Sequence, residues 1–171
     1  MKCSEICALI EQEYGTEYAC DWDNVGLLAG RSTKEVKKIL LSLDATDEVV
    51  RMAAEGGYDM LITHHPMLFS AIKRVTDQDM NGRRLLELIR NDISYYAMHT
   101  NYDTRGMADL AARLMGLTEC AVLEEVKDGE GIGRVGKLPH PMTLRECGEQ
   151  VKVAYGIPNV RLFGDPDTQV S

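Results

Sequence analysis

The sequence predicts an α/β fold: a three-layer sandwich around a largely parallel or mixed sheet, followed by an incomplete second α/β portion. Two observations carry this reading. Short apolar runs at Ile39–Leu43, Met60–Ile62 and Ser94–Met98 alternate with segments of helical spacing, in the order strand, helix, strand, helix, strand, helix. That alternation calls for right-handed crossovers and helices on the faces of a parallel sheet. After Leu117 the texture changes to glycine-rich and shorter elements, so residues 1–120 are assigned to one α/β domain and 121–171 to the start of a second α+β portion.

Each element has a local reason. Ser4 can cap a first helix running to about Glu13, with Ile6, Leu9 and Ile10 as its apolar side and Tyr14-Gly15 as its stop. The stretch from Trp22-Asp23-Asn24-Val25-Gly26 to Gly30 is polar and turn-rich, and Ser32-x-x-Glu35 resembles a capping box for a short turn. Ile39–Leu43 reads as a strand buried on both faces, ending at Asp44. Thr46 can cap a helix over Asp47–Glu55, which Gly56-Gly57 ends. Met60–Ile62 is the next strand. Gly82–Arg90 is a helix with Asn91 as its C-terminal cap, Ser94–Met98 a third strand, and Met107–Met115 a helix stopped by Gly116. Further on, Val122–Val126 and Val160–Phe163 read as short strands, and Thr143-x-x-Glu146 as a capping box opening a helix to Tyr155.

Composition narrows the class. A net charge of −8 over 171 residues gives no sequence-wide basic footprint for nucleic acid or an anionic membrane, and no apolar run approaches a membrane span. No secretory signal opens the chain, and the five cysteines are odd in number without a Cys-x-x-Cys. A reducing, cytoplasmic compartment is the expectation. Cys3 and Cys7 share a helix face; burial as small apolar residues is preferred over a thiolate pair.

The chemistry concentrates where strands stop. His64 and His65 follow Met60–Thr63 directly, and His99-Thr-Asn-Tyr-Asp103 follows Tyr95–Met98. In open α/β sheets, sites form beyond the carboxyl ends of strands. Imidazole and carboxylate together suit borderline divalent metals. Three readings stay open on the residues alone: a metal site, a metal-free polar site, or residues that merely cap turns. Within the first, adjacent histidines after a strand point apart and suit two ions better than one. The economical arrangement puts His64 on one ion, His65 on the other and Asp103 across both. His99 and Asp44 are candidates for supporting those ligands from behind, and His140, between two prolines, for a surface turn. The segment Gly131-Ile-Gly133-Arg-Val-Gly136 lacks the Gly-Lys-Ser/Thr of a phosphate loop and follows a late strand, so hairpin or bulge glycines are expected.

Asp23-Asn24-Val25-Gly26-Leu27, Thr63-His64-His65-Pro66, His99-Thr100-Asn101-Tyr102-Asp103 and Gly131-Ile-Gly-Arg-Val-Gly136 occur in an order that resembles the GTP cyclohydrolase 1 type 2 homologues, the Nif-three-like or YbgI-like family. The resemblance covers nearly the whole chain. It implies a three-layer α/β fold and a dinuclear centre of two divalent ions (Zn, Fe or Mn), with His64, His65 and Asp103 as ligands. It also implies a ring-like homohexamer and a small-molecule substrate, for which a nucleotide is the candidate. The family's later His and Glu, three residues apart, have no counterpart here, since the only histidine after Asp103 is His140 and residue 144 is Leu. The chain is therefore expected to correspond to the first two-thirds of such a protein. Arg105-Gly106-Met107-Ala108 also departs from the paired glycines and Asn frequent in that loop.

The function expected from this likeness is metal-dependent hydrolysis: opening of the imidazole ring of GTP by a metal-activated hydroxide, with release of formate. No catalytic base is assigned. The alternatives are a non-enzymatic metal-binding regulator or scaffold, and a dinuclear phosphoesterase using the same ligands.

Overall fold

The computed structural model describes all residues, Met1–Ser171. They form two compact units, Met1–Tyr102 and Asp103–Ser171. The boundary thus falls directly before Asp103, whereas the sequence texture changes near residue 120. No helix is long and apolar enough to cross a membrane.

The first unit is an α/β sandwich. Helix α1 (Cys3–Glu13) begins with its Glu5 carboxylate accepting from the Lys2 backbone N–H at 2.7 Å, so Ser4 lies inside the helix rather than at its cap. Strand β1 (Gly26–Ala29) comes next, where the sequence suggested only turns. Then follow β2 (Ile39–Ser42), α2 (Asp47–Glu55), β3 (Met60–Thr63), α3 (Met80–Arg90) and β4 (Ser94–Ala97). Thr46 does cap α2, its hydroxyl accepting from Val49 N–H at 3.2 Å, and Asp79 caps α3 by accepting from Gly82 N–H at 2.8 Å.

The sheet order is β1-β4-β3-β2. Strands β2, β3 and β4 are parallel, as the alternation with helices requires, while β1 adds antiparallel to β4 and makes the sheet mixed. Side chains alternate between faces. Met60, Ile62 and Tyr96 pack with Cys3, Cys7 and Val36 under α1. Leu61, Tyr95 and Ala97 pack with Val50, Ala53, Leu88 and Ile93 under α2 and α3. Burial, with Cys3 alongside, pushes the Cys7 thiol up to about 12, as expected of an apolar core residue rather than a thiolate ligand.

Strand β2 departs from expectation. It pairs with β3 only and forms an edge, leaving Leu41 72% exposed with Leu43 and part of Ile39 also in solvent. An apolar run reports which residues could be buried on both faces; it does not say whether a helix covers the second face. Entry to β2 is clipped by charge. Lys34, nearly buried, donates to the carbonyls of Asp59 and Asp92. The Asp59 carboxylate accepts from Lys37 and Lys38 N–H at 2.8 and 3.0 Å.

The second unit begins with a π-helical turn, Asp103–Met107, running into α4 (Ala108–Met115), which Gly116 closes in the left-handed conformation at φ 68°. Strands β5 (Thr118–Lys127) and β6 (Glu130–Lys137) form an antiparallel hairpin longer than the sequence pattern indicated. Its two-residue connection, Asp128-Gly129, has both φ values positive, as type I′ turns require. The glycine-rich segment is therefore strand. A Cβ on Gly131 would stand 2.0 Å from the Glu124 carbonyl, so the residue is glycine because the opposite backbone passes there. Strand β7 (Met142–Thr143) leads into α5 (Leu144–Tyr155) through the Thr143/Glu146 capping box. Its partner is β8 (Gln169–Val170); Val160–Phe163, expected as a strand, has no ladder, and Phe163 is 86% exposed.

Two outcomes are expected. Leu88→Ala empties a fully buried position and should lower stability by about 2–5 kcal/mol in urea unfolding; an unchanged midpoint would show that the α3 face is not core. For Asp59, the Lys37 N–H bond leads, with the Lys38 N–H and the Lys34 charge adding to it, and together they hold the carboxyl below its ordinary value against the opposing effect of burial. A depressed folded pKa contributes stability above the unfolded pKa and loses it as pH falls through the folded value. Asp59→Asn should therefore be less stable than wild type at neutral pH, and the two should converge as acid protonates Asp59. Parallel acid limbs would refute the linkage.

Candidate metal centre

The register of the parallel strands builds this site. Ser42, Thr63 and Ala97 lie in one row across β2, β3 and β4. The ladder continues past the strands: His64 N–H donates to Ser42 O at 3.3 Å, His65 N–H to Leu43 O at 3.0 Å and Met98 N–H to Thr63 O at 3.0 Å. Two residues beyond the row, the three chains deliver Asp44, His65 and His99 to the same edge of the sheet. Strand β1 runs the other way, so the loop before it brings Asp23 to that edge as well.

Three histidines converge there. The ligating atoms of His64, His65 and His99 all lie within 4.8 Å of one another. Their ring centroids are 4.9 Å apart for His64 and His65, 5.1 Å for His64 and His99, and 5.6 Å for His65 and His99. Each ring has its Nδ1 engaged: His64 with the Met98 carbonyl at 3.1 Å, His65 with the Asp44 carboxylate at 2.8 Å, His99 with the Asp23 carboxylate at 3.0 and 3.1 Å. Carbonyls and carboxylates only accept, so each Nδ1 carries a proton. Histidine ligands of metals are oriented in this way. The Asp44 carboxylate thus stands behind the His65 ring. His99 does more than was expected, because it belongs to the imidazole cluster itself.

Asp23 is the residue that sequence reasoning undervalued as part of a turn. Its carboxylate is buried, and besides His99 it accepts from Thr100 N–H at 3.0 Å, the Thr100 hydroxyl at 2.5 Å and Asn24 N–H at 2.8 Å. Burial opposes its charge, but the Thr100 and His99 bonds and the two backbone N–H groups outweigh burial and hold its pKa below the usual carboxylate range. An Asp-Asn-x-Gly run signals a turn equally well, and nothing local links Asp23 to a histidine 76 residues away.

A second polar layer holds the His-His-Pro turn from beneath. The Thr63 hydroxyl donates to the His65 carbonyl at 2.8 Å and lies 2.8 Å from the buried Tyr95 hydroxyl, which accepts from Met67 N–H at 2.7 Å. Of the remaining sequence candidates, Asp103 is the first residue of the second unit, and His140 is exposed in a bend, as expected of a surface turn.

The donor set fits a divalent ion. Metal–imidazole bonds of about 2.0–2.1 Å bring donors on one ion to about 3–3.5 Å from each other, so nitrogens up to 4.8 Å apart close onto a metal with side-chain shifts of about 1 Å. Three imidazoles gathered at the carboxyl edge of a parallel sheet thus have the chemistry and spacing to hold a divalent ion.

The chain resembles known proteins along its whole length. The profile of the family described as Duf34/NIF3 (NGG1p interacting factor 3) matches residues 1–171. A protein of Clostridium perfringens named GTP cyclohydrolase 1 type 2 homolog is 37% identical over 169 residues, covering 96% of this chain and 64% of that protein. The protein of the same name from Clostridium acetobutylicum is 34% identical over 99% of this chain and 65% of its own length. The chain thus spans just under two-thirds of these curated relatives. The crystal structure of a Staphylococcus aureus hypothetical protein superposes with a TM-score of 0.86 at 28% identity, covering 99% of this chain and 69% of the other. With the profile spanning its full length and these relatives alongside, the chain belongs to the Duf34/NIF3 family.

Proposed function

We propose that this chain carries the metal centre of a metal-dependent hydrolase whose substrate is a nucleotide, with opening of the GTP imidazole ring as the reaction. The observation that carries the proposal is the convergence of His64, His65 and His99 with every Nδ1 committed to an acceptor. The relatives named GTP cyclohydrolase 1 type 2 homolog support the choice of substrate. In this reading His64 and His65 are ligands of two divalent ions, Asp103 is their shared carboxylate, and His99 completes the imidazole set. The same reading includes assembly into a homo-oligomeric ring.

When bound, such ions supply Lewis-acid polarisation of a substrate oxygen and a source of activated water. The chain's own residues do the preparatory work. Asp44 and Asp23 keep the His65 and His99 protons on Nδ1 and fix the orientation of both rings. The Met98 carbonyl does the same for His64. Thr63 and Tyr95 hold the backbone of the His-His-Pro turn, so the imidazoles need little reorganisation to bind.

Three results are expected. His64→Ala and Asp103→Ala should each reduce the metal content found by elemental analysis; stoichiometry equal to wild type would sink the ligand assignment. Asp44→Asn and Asp23→Asn keep size while removing the charge behind an imidazole, and should weaken zinc binding by about 10–100-fold in calorimetry; unchanged affinity would leave those carboxylates a purely structural role. Metal-loaded protein should release formate from GTP. Turnover of model phosphodiesters without formate would replace the reaction with phosphoester hydrolysis, and inertness toward both would favour a scaffold.

A further inference from the structure

Beside the histidine cluster, two large aromatic side chains stand in solvent. Trp22 is 59% exposed and Phe69 50% exposed, although their ring centroids are only 5.7 Å apart at a 41° tilt. Trp22 is the chain's single tryptophan. Leaving rings of this size uncovered forgoes much of the roughly 1.5–3 kcal/mol that full burial of a large apolar side chain provides. Nor is the exposure that of a loose loop. Trp22 precedes Asp23, whose carboxylate is held by four donor groups, and the Asn24 side chain donates to the Leu68 carbonyl, tying the Trp22 loop to the Phe69 loop. Leu68 itself is buried, which anchors the second loop. The Trp22 ring lies 6.2 Å from the His99 ring at a 73° angle, so the pair is continuous with the imidazole cluster.

We propose that Trp22 and Phe69 form an aromatic wall on which a planar heteroaromatic ring of the nucleobase class stacks, with its heteroatom edge turned to the His64–His65–His99 cluster. The proposal rests on the metal-centre reading above and adds the part of the substrate that is recognised. The chemistry selects the occupant. An indole and a phenyl ring offer π faces that favour flat, polarisable rings. An ion held by the imidazoles favours lone pairs at a ring's edge. A nucleobase carries both features in one rigid unit, and sites for such ligands combine aromatic walls with a few convergent polar groups. Recognition then depends on the base and not on a phosphate chain.

Trp22 reports on its own occupancy. The full 171-residue chain is titrated with guanosine while tryptophan emission is followed, once with zinc and once with EDTA, with inorganic tripolyphosphate as the contrasting probe. Guanosine should quench emission saturably and tripolyphosphate should not. Phe69→Ala should weaken guanosine binding by about five- to a hundredfold. Phe69→Leu keeps an apolar contact with Trp22 but lacks the π face, so comparable weakening in this variant, with an unchanged far-ultraviolet spectrum, assigns the loss to stacking. Calorimetry on Trp22→Ala and Trp22→Phe should show lost and largely retained guanosine binding respectively. No guanosine response, equal quenching by tripolyphosphate, or wild-type affinity in Phe69→Ala and Trp22→Ala would each overturn the wall. Zinc binding without a guanosine response removes the wall and leaves the metal centre standing. A guanosine response in protein that binds no zinc does the reverse.

Discussion

Strand register is the constraint from which the rest of the site descends. Because Ser42, Thr63 and Ala97 share one row, the next residues of three separate chain segments are carried to the same edge of the sheet in step. A slip of one residue in any strand would turn its side chains to the opposite face and separate Asp44 from His65. The register is enforced from both faces of the sheet. Met60, Ile62 and Tyr96 fit only under α1, and Leu61, Tyr95 and Ala97 only under α2 and α3. The apolar core therefore positions the polar site, and stability and site geometry are not separable in this unit.

The polar network completes what the register starts. Bringing three imidazoles together leaves their tautomers undecided; the acceptors behind them decide. Asp44, Asp23 and the Met98 carbonyl each accept a hydrogen bond from an Nδ1–H, which fixes the orientation of the three rings. Asp23 remains charged while buried because four donor groups compensate its desolvation. Its position depends on β1, the one antiparallel strand, whose entry loop reaches the carboxyl edge of its neighbours. The same loop exposes Trp22 beside His99. One short strand thus sets both the support of a histidine and the aromatic border of the site.

Much of this was legible locally. Thr46 and Val49, the Thr143/Glu146 box and the Gly116 stop are interactions over four residues or fewer, and each appears at its expected position. Where an element needed a distant partner, sequence was a poorer guide. Gly26–Ala29 becomes a strand only because β4 offers it a ladder. Val160–Phe163 has strand-like residues but no neighbour, while Gln169–Val170 finds one in Met142–Thr143.

The sequence by itself determined the α/β class, the parallel order of β2 to β4, the family, and His64 and His65 as the chemical focus, because these follow from periodicity, caps and contiguous motifs. Only the tertiary structure decided that His99 joins the cluster, that Asp23 stands behind it, that Leu41 faces solvent, and that Trp22 and Phe69 meet at the border. Each of those facts is a relation between segments tens of residues apart. Such relations are set by which faces are covered and which strand ends coincide, and no local pattern encodes them.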